Sequence, residues 1–228
     1  MISHDAIVGQ GKAIMTGLRD WKPWFAAYDD PASPLASRLA VVRDGISRAL
    51  RETAPGPIRI LSLCAGEGRD VIPVVAAHPR RADVTARLVE FDPEIADVAR
   101  RAVAEAGLAD AFDVVTGDAA DPARFAGFGP ADLLLLCGIF GNISDADIAH
   151  TVANAAGLTA RHGTVIWTRH RREPNLVPSI HGWFAEAGFT SLWESDPALP
   201  ESIYVAGHRQ DRDPAPLRGD AKLFTFIK

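Results

Sequence analysis

Sulfur is scarce in this chain, and long apolar runs are missing. Cys64 and Cys137 are its only cysteines, too few for a disulfide framework or for a zinc site without histidine help, so both are expected to stay reduced. A membrane helix needs about 18 consecutive apolar residues. The longest candidate, 131–139, is broken by Asp132 and Gly138, so no membrane span is expected. The opening "MISHDAIVGQGK" has no basic start followed by an apolar stretch, so no export signal is expected and the protein reads as cytoplasmic. Positive charge is not in excess either. The formal net charge is −5, which argues against a broad grip on nucleic-acid phosphates, and the basic run "RHRR" at 169–172 reads as a solvated loop. No repeat or low-complexity segment occurs. What is present, 47% hydrophobic and 23% charged residues over 228 positions, suffices for one globular core.

From about residue 57 onward, short apolar runs alternate with amphipathic ones, the pattern of a parallel sheet covered on both faces. Strands are expected at 58–63, 86–90, 113–116, 132–137, 164–168 and 189–193, with two further β-like runs at 202–206 and 223–227. Helices are expected at 70–77, 93–106, 145–160 and 176–187. The helix at 93–106 is the clearest: Pro93 and Glu94 suit its first turn, Ile95, Val98, Ala102 and Val103 form one stripe, and Gly107 ends it. The expected fold is α/β, a doubly wound, mostly parallel seven-stranded sheet whose last strand or two run antiparallel. Ligands of such sheets sit at the carboxyl ends of the strands. Residues 1–56 differ: Trp21, Trp24, Phe25 and Tyr28 precede a "DDPASP" turn and a helix at 34–51 capped by Ser33. This N-terminal helical extension is expected to lie over the mouth of the 57–228 domain as a lid, or to serve as a homodimer contact.

Three strand ends carry chemistry. In "CAGEGRD", residues 64–70, Gly66 and Gly68 permit positive φ and close approach of a ligand to the backbone. A dinucleotide fingerprint would need a glycine at 71, where Val71 stands. Glu90 ends the second strand 24 positions after Gly66, near the spacing at which an acid meets ribose hydroxyls, while Asp92 reads as a helix cap. Asp118 and Ala119 end the third strand; an acid followed by a backbone N–H suits adenine. Each motif by itself also fits an ordinary turn or a surface acid.

Taken in order, "CAGEGRD", "VEFDPE", "TGDA" and "LLLLCGIFGNI" resemble the successive motifs of the class I S-adenosylmethionine-dependent methyltransferases, over about residues 57–208. The resemblance implies that S-adenosyl-L-methionine is the cofactor and S-adenosyl-L-homocysteine the product. It places the methionine end on Ala65, Gly66 and Gly68, the ribose on Glu90, and the adenine against Phe91, Asp118 and Ala119. Cys137 and Gly138 would offer backbone to the cofactor's amino group. Two departures stand out: the acid usual within the first strand is Ser62, and the usual Gly-Cys before the turn is Cys64-Ala65. Charge for the methionine end must then come from elsewhere, and Arg69, Arg38 and Tyr28 are candidates for its carboxylate. The chain also resembles a group of small bacterial methyltransferase-like proteins of undefined substrate, through "GIFGNI", "VIWTRHRR" and "WFAEAGF".

In-line transfer from an activated methyl donor demands positioning above all, so no fixed triad is expected. Acceptor contacts are expected after the fourth and fifth strands: Asn142 and Ile139, then Arg169, His170, Arg172 and Glu173. His170 is the candidate general base, and Arg169 or Arg172 could fork onto a substrate carboxylate. No metal is expected, because Asp145 and Asp147 fall inside a helix. His181 and Trp183 read as core or interface, and Cys64 and Cys137 as neighbours under the cofactor. A small-molecule acceptor is favoured over nucleic acid, since the Asn/Asp-Pro-Pro-aromatic motif of amino-methylating nucleic-acid enzymes is replaced by "GIFGN". Cyclisation of the cofactor's aminobutyrate chain, or cofactor binding without turnover, are the alternatives.

Overall fold

Seven extended runs pair into one sheet in the order 3-2-1-4-5-7-6. They are β1 (Ile58–Leu63), β2 (Val84–Glu90), β3 (Phe112–Thr116), β4 (Ala131–Leu136), β5 (Thr159–Arg169), β6 (Phe189–Glu194) and β7 (Tyr204–Gln210). The computed structural model describes residues 27–217 and 222–227. Trp21, Trp24 and Phe25 lie outside the described residues.

Strands β1 to β5 run parallel to one another, and β7 alone is reversed, antiparallel to both β5 and β6. The expected strand at 223–227 does not join the sheet: it makes a single antiparallel bridge, Phe226 to Ile143. The helix expected to reach 160 stops at Leu158, where β-branched Thr159 already starts β5.

Among the described residues five α-helices cover the sheet: α1 (Pro34–Glu52), α2 (Val71–Ala77), α3 (Pro93–Glu105), α4 (Asp145–Leu158) and α5 (Val177–Glu186). Ser33 caps α1 through its Oγ, which accepts from Ala36 N at 3.0 Å, and Asp92 caps α3 by accepting from Glu94 N at 2.8 Å. Two apolar cores result. One packs α4 and α5 on residues such as Leu63, Leu134, Leu136 and Trp167; the other packs α1, α2 and α3 on Ile60, Leu88, Leu133 and Leu135. Alternation along each strand sends successive side chains to opposite cores. Helix α1 buries Val42, Ile46, Ala49 and Leu50 in the second core, and it approaches so closely that a Cβ on Gly45 would sit 2.5 Å from the Trp193 ring. Among the described residues no helix is long and apolar enough to cross a membrane.

Candidate active site

The β1/β4 boundary, where sequentially distant strands become neighbours, is the switch point of this sheet. At the carboxyl end of β1 the chain turns through three left-handed positions, Cys64, Gly66 and Gly68, with φ of 55°, 59° and 68°. Cys64 stands where the resemblance expects glycine, and a non-glycine residue there costs about 1–2 kcal/mol of backbone strain. Gly68 leaves no room for a side chain: a Cβ would lie 2.4 Å from Ile72 and 3.1 Å from Leu88.

Glu90 holds this turn together. Its Oε2 accepts from Gly66 N at 2.8 Å and its Oε1 from Asp92 N at 3.0 Å. The residue is 9% exposed, and burial pushes its carboxyl above the usual range against these hydrogen bonds. Each oxygen retains a second lone pair, the chemistry a ribose diol requires. Phe91 beside it is 42% exposed, unusual for so large an apolar ring.

Gly117 N donates to Glu90 O at 2.8 Å, tying the ends of β2 and β3 together. Burial, and then the charges of Glu90 and Asp118, push the Cys64 thiol well up from its usual range. Asp118 Oδ1 accepts from Ala120 N at 2.9 Å, and Ala119 is buried. Its Oδ2 takes Lys222 Nζ at 2.6 Å, a partner 104 positions away that no local signal announces. Lys222 opens a segment fastened over the site. Leu223 N donates to Ala120 O at 2.8 Å, Thr225 N to Asp147 Oδ2 at 3.1 Å, and Ile227 N to Asn142 O at 2.9 Å.

At the end of β4, Gly138 has φ 81°, donates to Thr168 Oγ1 at 2.8 Å, and would carry a Cβ into open space, so this backbone borders a cleft. Asn142 Nδ2 donates to Gly138 O at 2.8 Å, folding the loop back on itself. Helix α1 brings Arg38 to this cleft. Its Nη2 donates to the Tyr28 hydroxyl at 2.8 Å, and burial raises the phenol against the effect of Arg38. Arg69 is committed elsewhere: it pairs with Asp29 at 2.6 Å and with Glu67. Cys64 and Cys137 end neighbouring strands but turn to opposite faces, Cys64 toward the core of α4 and α5, Cys137 toward that of α1 and α2.

After β5 the arrangement is more structural than the sequence suggests. Arg169 donates to the Phe140 carbonyl, and burial lowers its pKa against the nearby Asp145 charge. His170 is half-buried at the strand's carboxyl end, and Arg172 is exposed. Arg171, not singled out from sequence, fastens the 197–201 loop: its N donates to Glu201 O at 2.6 Å and its Nη2 to Pro197 O at 3.0 Å.

A second unanticipated feature lies beneath. Trp167 Nε1 donates to His208 Nδ1 at 3.1 Å, His208 Nε2 meets His181 Nδ1 at 3.1 Å, His181 Nε2 meets Tyr204 OH at 2.6 Å, and Tyr204 donates to Glu194 at 2.5 Å. Indole is a donor only, so His208 Nδ1 must accept. That choice fixes both neutral imidazoles as Nε2–H tautomers and gives the whole chain one direction.

Residues 37–179 match a protein family described as "Putative methyltransferase". No curated protein matches the chain. Among solved structures it is similar to an O-methyltransferase family protein from Burkholderia thailandensis, at 18% identity and a TM-score of 0.59, covering 84% of this chain and 63% of that one. It is similar at 17% identity and a TM-score of 0.61 to an O-methyltransferase family 2 protein from Planctomyces limnophilus in complex with apigenin, covering 85% and 63%. A third similar structure is magnesium protoporphyrin IX methyltransferase from Synechocystis with its bound S-adenosylmethionine, at 12% identity and a TM-score of 0.59, covering 75% and 79%. The chain thus spans less than two thirds of the length of the first two. At such identities the shared property is the fold.

Proposed function

The chain belongs to the methyltransferase family that residues 37–179 match, and from that premise we propose that it binds S-adenosylmethionine across the carboxyl ends of β1, β2, β3 and β4 and methylates a small molecule. The observation that carries this reading is the Glu90 carboxylate. It is nearly buried and braces the left-handed glycine turn with one oxygen, while the backbone carbonyl of the same residue accepts from Gly117 N, next to Asp118. A ribose on Glu90 and an adenine between Phe91 and Asp118 fit this donor and acceptor set, with the amino-acid end directed over Ala65, Gly66 and Gly68 toward Gly138, Tyr28 and Arg38. Arg38, whose Nη2 donates to the Tyr28 hydroxyl, carries the planar guanidinium fork that suits the carboxylate of that end.

When bound, the cofactor supplies a methyl group already activated on a sulfonium, for in-line transfer. The protein's contribution is placement, which supplies up to ~7–11 kcal/mol in well-ordered cases. Asn142, in the loop that closes on Gly138, borders the acceptor side. Since Arg169 is tied to the Phe140 carbonyl, exposed Arg172 is the better arm for an acidic acceptor. His170 takes the proton of an acceptor that arrives protonated, a role worth ~10²–10⁴-fold. A net charge of −5 supports a small acceptor over nucleic acid.

Calorimetric titration with S-adenosylmethionine, S-adenosylhomocysteine and NAD tests the reading. Micromolar binding of both sulfur nucleotides, weakened at least tenfold by Glu90→Ala, is expected. Folded wild-type protein that binds neither overturns it.

A further inference from the structure

Asp118 has both of its oxygens held in the absence of any ligand, Oδ1 by Ala120 N at 2.9 Å and Oδ2 by Lys222 Nζ at 2.6 Å. The first contact is a local turn. The second arrives from 104 positions away, on a side chain that is 62% exposed. An exposed ion pair adds little to stability, so fastening the fold does not account for it.

The segment that carries Lys222 is held down without it. Leu223 and Phe224 are buried in the core of α4 and α5, and Thr151 Oγ1 on α4 donates to Leu223 O at 3.0 Å. Phe226 meets Phe224 edge-on, with ring centroids 5.4 Å apart, and bridges to Ile143. From there Ile227 N donates to Asn142 O, and Asn142 Nδ2 donates to Gly138 O, each at the distance given above. One short strap therefore touches the acid proposed for the adenine at one end and the loop proposed to border the acceptor at the other. With a donor on each oxygen, the Asp118 carboxylate is oriented before a ligand arrives, and its remaining lone pairs have set directions. An acceptor ordered in advance binds a donor at lower entropic cost. Lys222 and a ligand amine share that ordering, so each binds better in the presence of the other.

We propose that the segment 222–227 is a clamp on the nucleoside end of the site. Lys222 is a positioning residue that fixes the Asp118 carboxylate for the exocyclic amine of the adenine, and occupancy there tightens the strap and, through Ile227, the 138–142 loop. This rests on the S-adenosylmethionine reading. By linkage the coupling runs both ways, so whatever orders that loop raises nucleoside affinity by the same factor.

Amide exchange at Leu223, Thr225 and Ile227, whose N–H groups are bonded to Ala120 O, Asp147 Oδ2 and Asn142 O, reads the strap directly. It is followed by NMR in wild type, Lys222→Met and Lys222→Arg, with and without saturating S-adenosylhomocysteine. In wild type the ligand is expected to slow exchange at all three amides at least about fivefold, including Ile227, five positions beyond Lys222. Lys222→Met keeps the apolar stem and loses the charge. Its affinity for S-adenosylhomocysteine is expected to fall at least about threefold and the slowing at Ile227 to vanish, while the ligand-free variant keeps the melting temperature of wild type and exchange rates within about twofold. Lys222→Arg is expected to restore both affinity and slowing. Wild type that binds the ligand with no slowing at Ile227, or with faster exchange, overturns the clamp. A Lys222→Met protein that binds and responds as wild type does overturns it as well, leaving the strap a piece of core packing. So does one whose strap exchanges freely before ligand is added, because Lys222 then only fastens the segment. Should folded wild type not bind S-adenosylhomocysteine, the cofactor reading itself falls and takes the clamp with it, whereas binding without a strap response removes the clamp alone.

Discussion

The Glu90 carboxylate braces two backbone amides, one on each oxygen, and on the proposed reading its remaining lone pairs take the ribose. Its carboxyl is held above the usual range of 4.5, chiefly by burial. A protonated oxygen donates instead of accepting, so cofactor affinity should be full above that raised pKa and fall as pH drops through it. Titration of S-adenosylhomocysteine from neutral pH downward should therefore show affinity declining at a pH where an exposed carboxyl would still be ionised. An affinity constant down to the ordinary carboxylate range would contradict that role. This residue was legible from spacing alone because the strand, the turn and the acid are local to about 25 positions. The bond from Arg169 to the Phe140 carbonyl was not legible either, since it depends on a loop 29 positions earlier.

Strands β5, β6 and β7 and helix α5 meet in the directed chain from Trp167 to Glu194. His208 is stacked on Phe184 with ring centroids 4.5 Å apart and sits beside His181, and burial, then the neighbouring imidazole, lowers its pKa to about 3. Burial lowers His181 as well, against the charge of Glu194. The unfolded chain takes up a proton on such a histidine near pH 6.5, whereas the folded chain does so only near 3. Stability is thus fully present above 6.5 and is lost as pH falls toward 3. Between about pH 7.5 and 5.5 one such group costs about 1.4 kcal/mol. Buried Glu90 and Asp70 have raised values and act in the opposite sense at lower pH, so the comparison must be with a variant. His208→Asn keeps an acceptor for Trp167 Nε1. Urea unfolding at the two pH values should show a loss about 1.4 kcal/mol smaller in that variant than in wild type, and an equal loss would refute the assignment of neutral His208.

Across the whole molecule the site is a seam between the two layers. Helix α1 brings Arg38 from one layer, the loops after β4 and β5 close it from the other, and the segment at 222–227 is fastened over the ends of β3 and β4. A ligand that binds only the folded state across so many elements raises global stability, by ~2.7 kcal/mol at one hundred times its dissociation constant. For a chain of this size that corresponds to a rise in Tm of about 5–11 °C. Differential scanning with S-adenosylhomocysteine should show such a rise in wild type and at most about half of it in Glu90→Ala at the same ligand concentration.

Hydrophobic period, glycine placement and acid spacing sufficed to specify the alternating strands and helices, the left-handed turn before α2, Glu90 at the end of β2 and the caps Ser33 and Asp92. All of these are needs of the local backbone, met within a turn or a strand of the residue that meets them. The tertiary structure alone decided that β7 lies between β5 and β6, that 223–227 gives one bridge and not a strand, that Lys222 reaches Asp118, and that Arg38 meets the Tyr28 hydroxyl. Those pairings close loops of tens to more than a hundred residues, and what selects them is the packing of two cores against one sheet, which leaves no mark at any single position of the chain.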